Sequence, residues 1–185
     1  VLSGRKAAGT LPANGAVVKS IVSTDMAKTI AAAFGVTTFD VLTGFKFIAE
    51  KIQQFEDTGS HEFLFGFEES YGFLAGTFVR DKYAVIASML LAEAAAWYKK
   101  RGMTLYEGLM ELYEKYGYYS EKVTSFALEG KDGLSKMVSL MANLRAGAPE
   151  SFAGKKVLAV RDYKKGVRTA AGAEEKLDYP ASDVL

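Results

Sequence analysis

The chain has 185 residues, 49% hydrophobic and 24% charged, with a formal net charge of +1. That is the make-up of a globular chain with a sizeable core, and it offers no global field to draw nucleic acid or an anionic membrane. Cysteine is absent and His61 is the single histidine, which excludes a disulfide framework, thiol–metal sites and a multi-histidine zinc site. The same composition fits a reducing compartment, so the cytoplasm is the expected location.

The chain starts Val-Leu-Ser-Gly rather than with Met and reads as a piece of a longer protein, one domain plus part of another. Residues 1–8 have the texture of a helix tail, ended by Gly9 and the turn 11–15. Ala16 to Val22 is short, apolar and β-branched, a buried strand. Ser23 or Thr24 can cap a helix with the apolar face Met26, Ile30, Ala33 and Phe34. Val36 to Leu42 is a second strand, after which Thr43 is placed to cap a helix with the stripe Phe45, Ile48, Ile52 and Phe55. His61 to Phe67 is a third strand, and Phe73 to Val79 a short strand or extended loop. Asp81 to Arg101 is apolar nearly all round and is expected to be a heavily buried helix. Thr104 and Glu107 have capping-box spacing at the head of a further helix that stops at Gly117. The longest apolar stretch, 84–98, is broken by Ser88 and Glu93 and is too short to span a bilayer.

Strands alternating with helices imply an α/β fold, a three-layer domain with a mixed, largely parallel sheet between helices over residues 1–116. From 117 to 185 the texture changes: Tyr118 to Leu128 is a strand or linker, 130–146 a helix and 156–160 a strand. Residues 164–178 show no core pattern. This part reads as a linker and an incomplete α+β unit.

The chemistry concentrates in Gly66-Phe67-Glu68-Glu69-Ser70-Tyr71-Gly72, which follows the apolar run Phe63-Leu64-Phe65. Two acids and a hydroxyl at the carboxyl end of a strand suit a neutral polyol, because carboxylates accept from sugar hydroxyls. On spacing alone a solvated turn is as good a reading; the surrounding Phe65, Phe67, Tyr71 and Phe73, as a wall, tilt the balance to a ligand loop. A phosphorylated ligand needs a cation from elsewhere, and Lys82, in Arg80-Asp81-Lys82, is the nearest one along the chain; a plain surface charge is the competing reading. Thr43-Gly44-Phe45-Lys46-Phe47 joins strand to helix and is either an oxyanion-binding turn or an ordinary N-cap. Lys19, inside an apolar strand, needs a partner or a cleft unless it lies at an edge. No serine–histidine–aspartate set and no carboxylate metal cluster is legible, so no catalytic or metal-ligating residue is assigned.

The acidic loop resembles the sugar-binding loop of the α-D-phosphohexomutases, the phosphoglucomutase/phosphomannomutase family. Three segments agree with it in order and spacing: Lys19-Ser20-Ile21-Val22-Ser23-Thr24, Thr43-Gly44-Phe45-Lys46-Phe47 and Val79-Arg80-Asp81-Lys82. The likeness covers roughly residues 15–115. One departure is Tyr83-Ala84, where the family has Asp-Gly after the lysine. The resemblance implies the third of four domains plus the beginning of the fourth, within an enzyme that interconverts hexose 1-phosphate and hexose 6-phosphate through a bisphosphorylated sugar. It implies that Glu68 and Ser70 hold vicinal hydroxyls, that Thr43 and Gly44 line the sugar pocket, that Lys82 contacts the substrate with Lys19 as a companion, and that Glu69 is structural. Mg²⁺, a phosphoserine and a hexose 1,6-bisphosphate activator go with the full-length enzyme, their sites outside this chain, so the piece alone is expected to be inactive. A phosphorylated hexose and the remaining domains of the same polypeptide are the implied partners. The alternative is a non-catalytic carbohydrate-binding or assembly module on the same α/β domain.

Overall fold

Short β-branched and aromatic runs become the strands of a sheet that helices cover on both faces. The structure, a computed structural model, describes residues 1–122 and 124–185 and divides into two units, Val1–Glu121 and Lys122–Leu185. The first unit runs α1 (Leu2–Ala7), β1 (Gly15–Ser20), α2 (Met26–Ala33), β2 (Thr37–Val41), α3 (Phe45–Thr58), β3 (Glu62–Glu68), β4 (Gly72–Leu74), α4 (Ala84–Lys100) and α5 (Leu105–Tyr116). Strand order is β2-β1-β3-β4; β1 pairs in parallel with β2 and β3, and β3 pairs antiparallel with β4. The sheet is therefore mixed and largely parallel.

β1 lies at the centre and is buried along its whole length, which is why it reads as an almost unbroken apolar run. Its side chains alternate between two cores. Ala16 and Val18 pack with Phe45, Ile48, Ile52 and Phe55 of α3, while Val17 packs with Ala31 of α2, Val36 and Leu64. The pairing of β1 with β3 slips by one residue between Ala16 and Val17. As a result Phe63 joins the α3 side, and Phe65 and Phe67 join the α2 side.

Several local expectations give way. The buried residue of α2 is Ala31 rather than Ala33. Its N-cap is Asp25, whose side chain makes no capping bond; Thr24 Oγ1 instead accepts the Met26 N–H at 3.2 Å. Thr43 is not the cap, because the N-cap of α3 is Gly44 and the helix begins at Phe45. The largest departure is α4, which begins at Ala84 and has no buried residue. Val85, Met89, Leu91 and Trp97 are each at least half exposed; among the described residues the helix packs mainly against β4 and α5. An apolar composition all round announces a wish for burial; it does not supply the neighbours. The capping box of α5 forms as expected, Thr104 accepting from the Glu107 N–H and Glu107 from the Thr104 N–H.

The second unit holds α6 (Gly130–Ala146), a small ribbon of β5 (Ser151–Phe152) and β6 (Lys155–Lys156), and an antiparallel meander of β7 (Ala159–Asp162), β8 (Val167–Ala170) and β9 (Ala173–Lys176). Residues 164–178, which lack a core pattern, supply two of these strands, because a hairpin in a three-stranded meander needs backbone pairing more than an apolar face. Arg145 of α6 is held by Asp162 at 3.2 Å and Asp183 at 2.6 Å. Within the segment 118–128 the described residues carry neither helix nor strand, and its Val123 lies outside the described residues.

Candidate sugar-binding site

Glu68 is the last residue of β3 and sits on the α3 side of the sheet, next to Phe45 and Gly72. Its side chain is 3% exposed, yet it keeps its charge because three donors converge on it. Ser70 Oγ donates to Oε1 at 2.8 Å, Lys82 Nζ donates to the same oxygen at 2.9 Å, and the Gly44 N–H also bonds the carboxylate. Burial pushes the carboxyl up, and the Lys82, Ser70 and Gly44 donors outweigh it, so Glu68 titrates below its ordinary 4.5. The hydrogen bond to Glu68 in turn holds the Lys82 ammonium above its ordinary value.

Backbone geometry makes this convergence possible. Gly44 has φ 123° and ψ 127°, a conformation that a side chain would strain, and it turns its N–H toward Glu68 as α3 begins. Gly72 pairs with Glu68 across β3 and β4; a Cβ there would lie 2.6 Å from Glu68 Cγ and 3.0 Å from Phe45 Cδ2. Lys82 precedes α4 rather than opening it. The Tyr83 N–H donates to the Phe73 carbonyl at 3.0 Å, which straps the segment to β4 and brings the neighbouring lysine over Glu68. Tyr83 thus serves as the extended N-cap of the helix.

The structure gathers Glu68, Ser70, Lys82 and Gly44 in one place. Thr43 adjoins them in sequence, with an exposed side chain. Lys46 is directed elsewhere, its ammonium 4.8 Å from the Phe47 ring centroid. Lys19 is on the α2 side and fully buried, bonded to the Ser20 and Ser23 carbonyls at 3.2 and 2.8 Å and paired with Asp25 and Asp40 at 3.2 Å each. Lys28 pairs with the same two aspartates. Burial lifts the Asp25 carboxyl, but Lys28 and Lys19 together bring it below its ordinary value.

The aromatic wall expected around the loop stands on the other face. Strand alternation sends Phe65, Phe67 and Phe73 together, with ring centroids 5.9 and 6.3 Å apart, to the side away from Glu68, and Tyr71 is 89% exposed. The turn at Gly44, one of the two readings the sequence offered being an oxyanion-binding turn, gives its N–H to the Glu68 carboxylate; the clearance at Gly72 and the Tyr83 strap were missed, and the glycine closing the acidic loop was the signal for the first of these.

Chemically, the cluster offers an anionic acceptor, a hydroxyl that both donates and accepts, and a half-exposed cation within hydrogen-bonding reach of one another. That set matches adjacent sugar hydroxyls together with a negative substituent. Among the described residues, no three acidic or imidazole side chains gather as a metal site.

The phosphoglucomutase/phosphomannomutase family profile for its α/β/α domain III matches residues 1–116. A phosphoglucomutase of Staphylococcus haemolyticus strain JCSC1435 is 39% identical over 177 residues, covering 95% of this chain and 32% of its own. One of Staphylococcus aureus strain MRSA252 is 37% identical over 171 residues, 91% of this chain and 31% of its own. The chain thus spans about a third of the length of the curated relatives it matches. A crystal structure from Thermus thermophilus, of a protein assigned as a phosphomannomutase, covers 70% of this chain and 28% of its own at 21% identity and TM-score 0.49.

Proposed function

This chain belongs to the phosphoglucomutase/phosphomannomutase family, and from that premise we propose that it is the sugar-reading part of a phosphohexomutase. In this reading residues 1–116 form the sugar-binding domain and 117–185 the linker and the beginning of the next. The whole enzyme moves a phosphate reversibly between C1 and C6 of a hexose through a bisphosphorylated sugar. The observation that carries the reading is the buried Glu68 carboxylate, ionised and held by Ser70, Lys82 and the Gly44 N–H at the carboxyl end of a strand.

The roles follow from exposure and chemistry. Glu68 accepts from one sugar hydroxyl, and Ser70, two residues along the loop, contacts the adjacent hydroxyl. Lys82, with 46% of its side chain exposed, is the partner that moves: sugar hydroxyls replace its ammonium at Glu68, and the ammonium turns to the phosphate. Thr43 and Gly44 line the pocket floor. Lys19 already has two carbonyls and two carboxylates on its ammonium, so it reaches substrate only by giving these up, and its part is to hold the turn after β1. A bisphosphorylated intermediate must turn round between the two transfers, and acceptors for adjacent hydroxyls read what both orientations share.

In this reading the metal, phosphoserine and hexose 1,6-bisphosphate activator sites lie in parts of the enzyme beyond this chain, as do the partner domains. Among the described residues no helix is long and apolar enough to cross a membrane, and a sugar-phosphate substrate goes with a cytoplasmic location. No observation favours the non-catalytic module.

The test is Glu68→Ala in the full-length protein. Loss of a charge-assisted contact to the sugar is expected to lower kcat/KM for hexose 1-phosphate by about 100-fold or more. Activity within a few-fold of wild type would remove the sugar-reading role of the loop.

A further inference from the structure

Adjacent carboxylates in one loop have parted company: Glu68 faces the α3 side, and Glu69 has turned to the end of β1. Glu69 Oε2 accepts the Ser20 hydroxyl at 2.6 Å and the Ser23 hydroxyl at 3.4 Å, and the two hydroxyl oxygens are 2.8 Å apart. Ser20 is 1% and Ser23 9% exposed, so this is a built seat rather than a surface encounter. The seat is itself fixed. The Ser23 N–H closes the turn onto the Ser20 carbonyl at 3.1 Å, and the fully buried Lys19 ammonium clamps both carbonyls from beneath while pairing with Asp25 and Asp40.

Short hydroxyl–carboxylate bonds of this kind are among the stronger ones available to side chains. Neighbouring residues of an extended segment point to opposite sides, so anchoring Glu69 fixes the backbone from which Glu68 and Ser70 project. The loop needs such an anchor. Next to Ser70 the backbone passes through Tyr71 at φ 60°, a conformation an aromatic residue holds only when its surroundings impose it. Resting on the sugar-reading role given above to Glu68 and Ser70, we propose that Glu69 is a positioning residue: through the Ser20–Ser23 seat it latches the loop so that Glu68 and Ser70 are preorganised for the hexose. A few tenths of an ångström matter here, because misplacing a binding group by about 1 Å can lower turnover by about 100-fold.

The experiment uses the full-length protein and the variants Glu69→Gln, Ser20→Ala, Glu68→Ala and the double variant Glu68→Ala/Glu69→Gln. Expected are a fall in kcat/KM for hexose 1-phosphate of about 10- to 30-fold for Glu69→Gln and faster amide hydrogen exchange confined to residues 66–72. In the Glu68→Ala background Glu69→Gln should cost clearly less than in wild type, since one of the two groups the latch positions is already gone. A purely structural Glu69 would give losses that multiply, and that outcome overturns the proposal, as does kcat/KM within twofold of wild type for Glu69→Gln. Should Glu69→Gln fail to fold, Ser20→Ala carries the same prediction and the same reversals. Wild-type activity in Glu68→Ala sinks the sugar-reading role itself, whereas loss there with an indifferent Glu69→Gln sinks the latch alone.

Discussion

Lys19 and Lys82 belong to the same half of the molecule, both stand near the carboxyl end of its sheet, and both are drawn to carboxylates, but the fold uses them in opposite ways. Lys19 has no exposed surface and four partners, two of them backbone carbonyls. Lys82 is roughly half exposed and holds one side-chain partner, Glu68. A cation taken out of water must be surrounded by fixed acceptors, or burying it is prohibitive; once so surrounded, it is architecture. A cation left at the surface with one buried carboxylate gives up little by moving and is available to a ligand. The lesson is that residue type announces a charge, and the number of fixed partners decides whether that charge is free to bind.

Replacing the two lysines in turn is the sharpest way to break this comparison. Lys19→Met takes the donor from the Ser23 carbonyl and one of two from the Ser20 carbonyl, leaves Asp25 and Asp40 with Lys28 alone, and should lower the unfolding free energy by about 2–4 kcal/mol in urea titrations. Lys82→Met should cost less stability than that, because Ser70 and the Gly44 N–H still hold Glu68, and should lower kcat/KM of the full-length protein by about tenfold or more. The reverse pattern would exchange their roles. Gly72→Ala probes the packing under the Glu68 cluster: a methyl group 2.6 Å from Glu68 Cγ forces the carboxylate or Phe45 aside, with an expected loss of about 1–3 kcal/mol and a drop in activity alongside.

The smallest expected effect is on acid stability. Glu68 titrates below its ordinary 4.5 in the folded protein, so its contribution is fully present above that value and fades as pH falls through the lower folded one. The stability difference between wild type and Glu68→Gln should therefore be constant from pH 7 to about 5 and shrink below that. A difference that grows toward acid pH would mean the carboxylate is not held in its charged form.

Much of this was legible from residue order. Short apolar, β-branched runs and helical spacing located β1, β2, β3 and α3 to within a residue or two of their ends, and the stripe Phe45, Ile48, Ile52 and Phe55 is buried as its spacing demands. The capping box at Thr104 was readable because its geometry is local. The burial of α4 was not, because it depends on which elements are there to cover it. Nor were β8 and β9, whose pairing rests on backbone hydrogen bonds that leave little trace in polarity. At the site, the types of Glu68, Ser70 and Lys82 announced their chemistry, whereas their meeting depends on a peptide N–H at Gly44, room at Gly72 and the strap from Tyr83 to Phe73. Those are properties of the backbone, and side-chain identity says little about them. The aromatic wall failed for a related reason: neighbours in sequence alternate between the faces of a strand.

The most direct test of the sugar-reading role is a crystal structure of the full-length protein with a hexose phosphate bound. The account predicts adjacent ring hydroxyls within about 2.6–3.2 Å of the Glu68 carboxylate and Ser70 Oγ, with the Lys82 ammonium moved from Glu68 to the phosphate. A sugar seated elsewhere, with the bond between Lys82 and Glu68 intact, would contradict it.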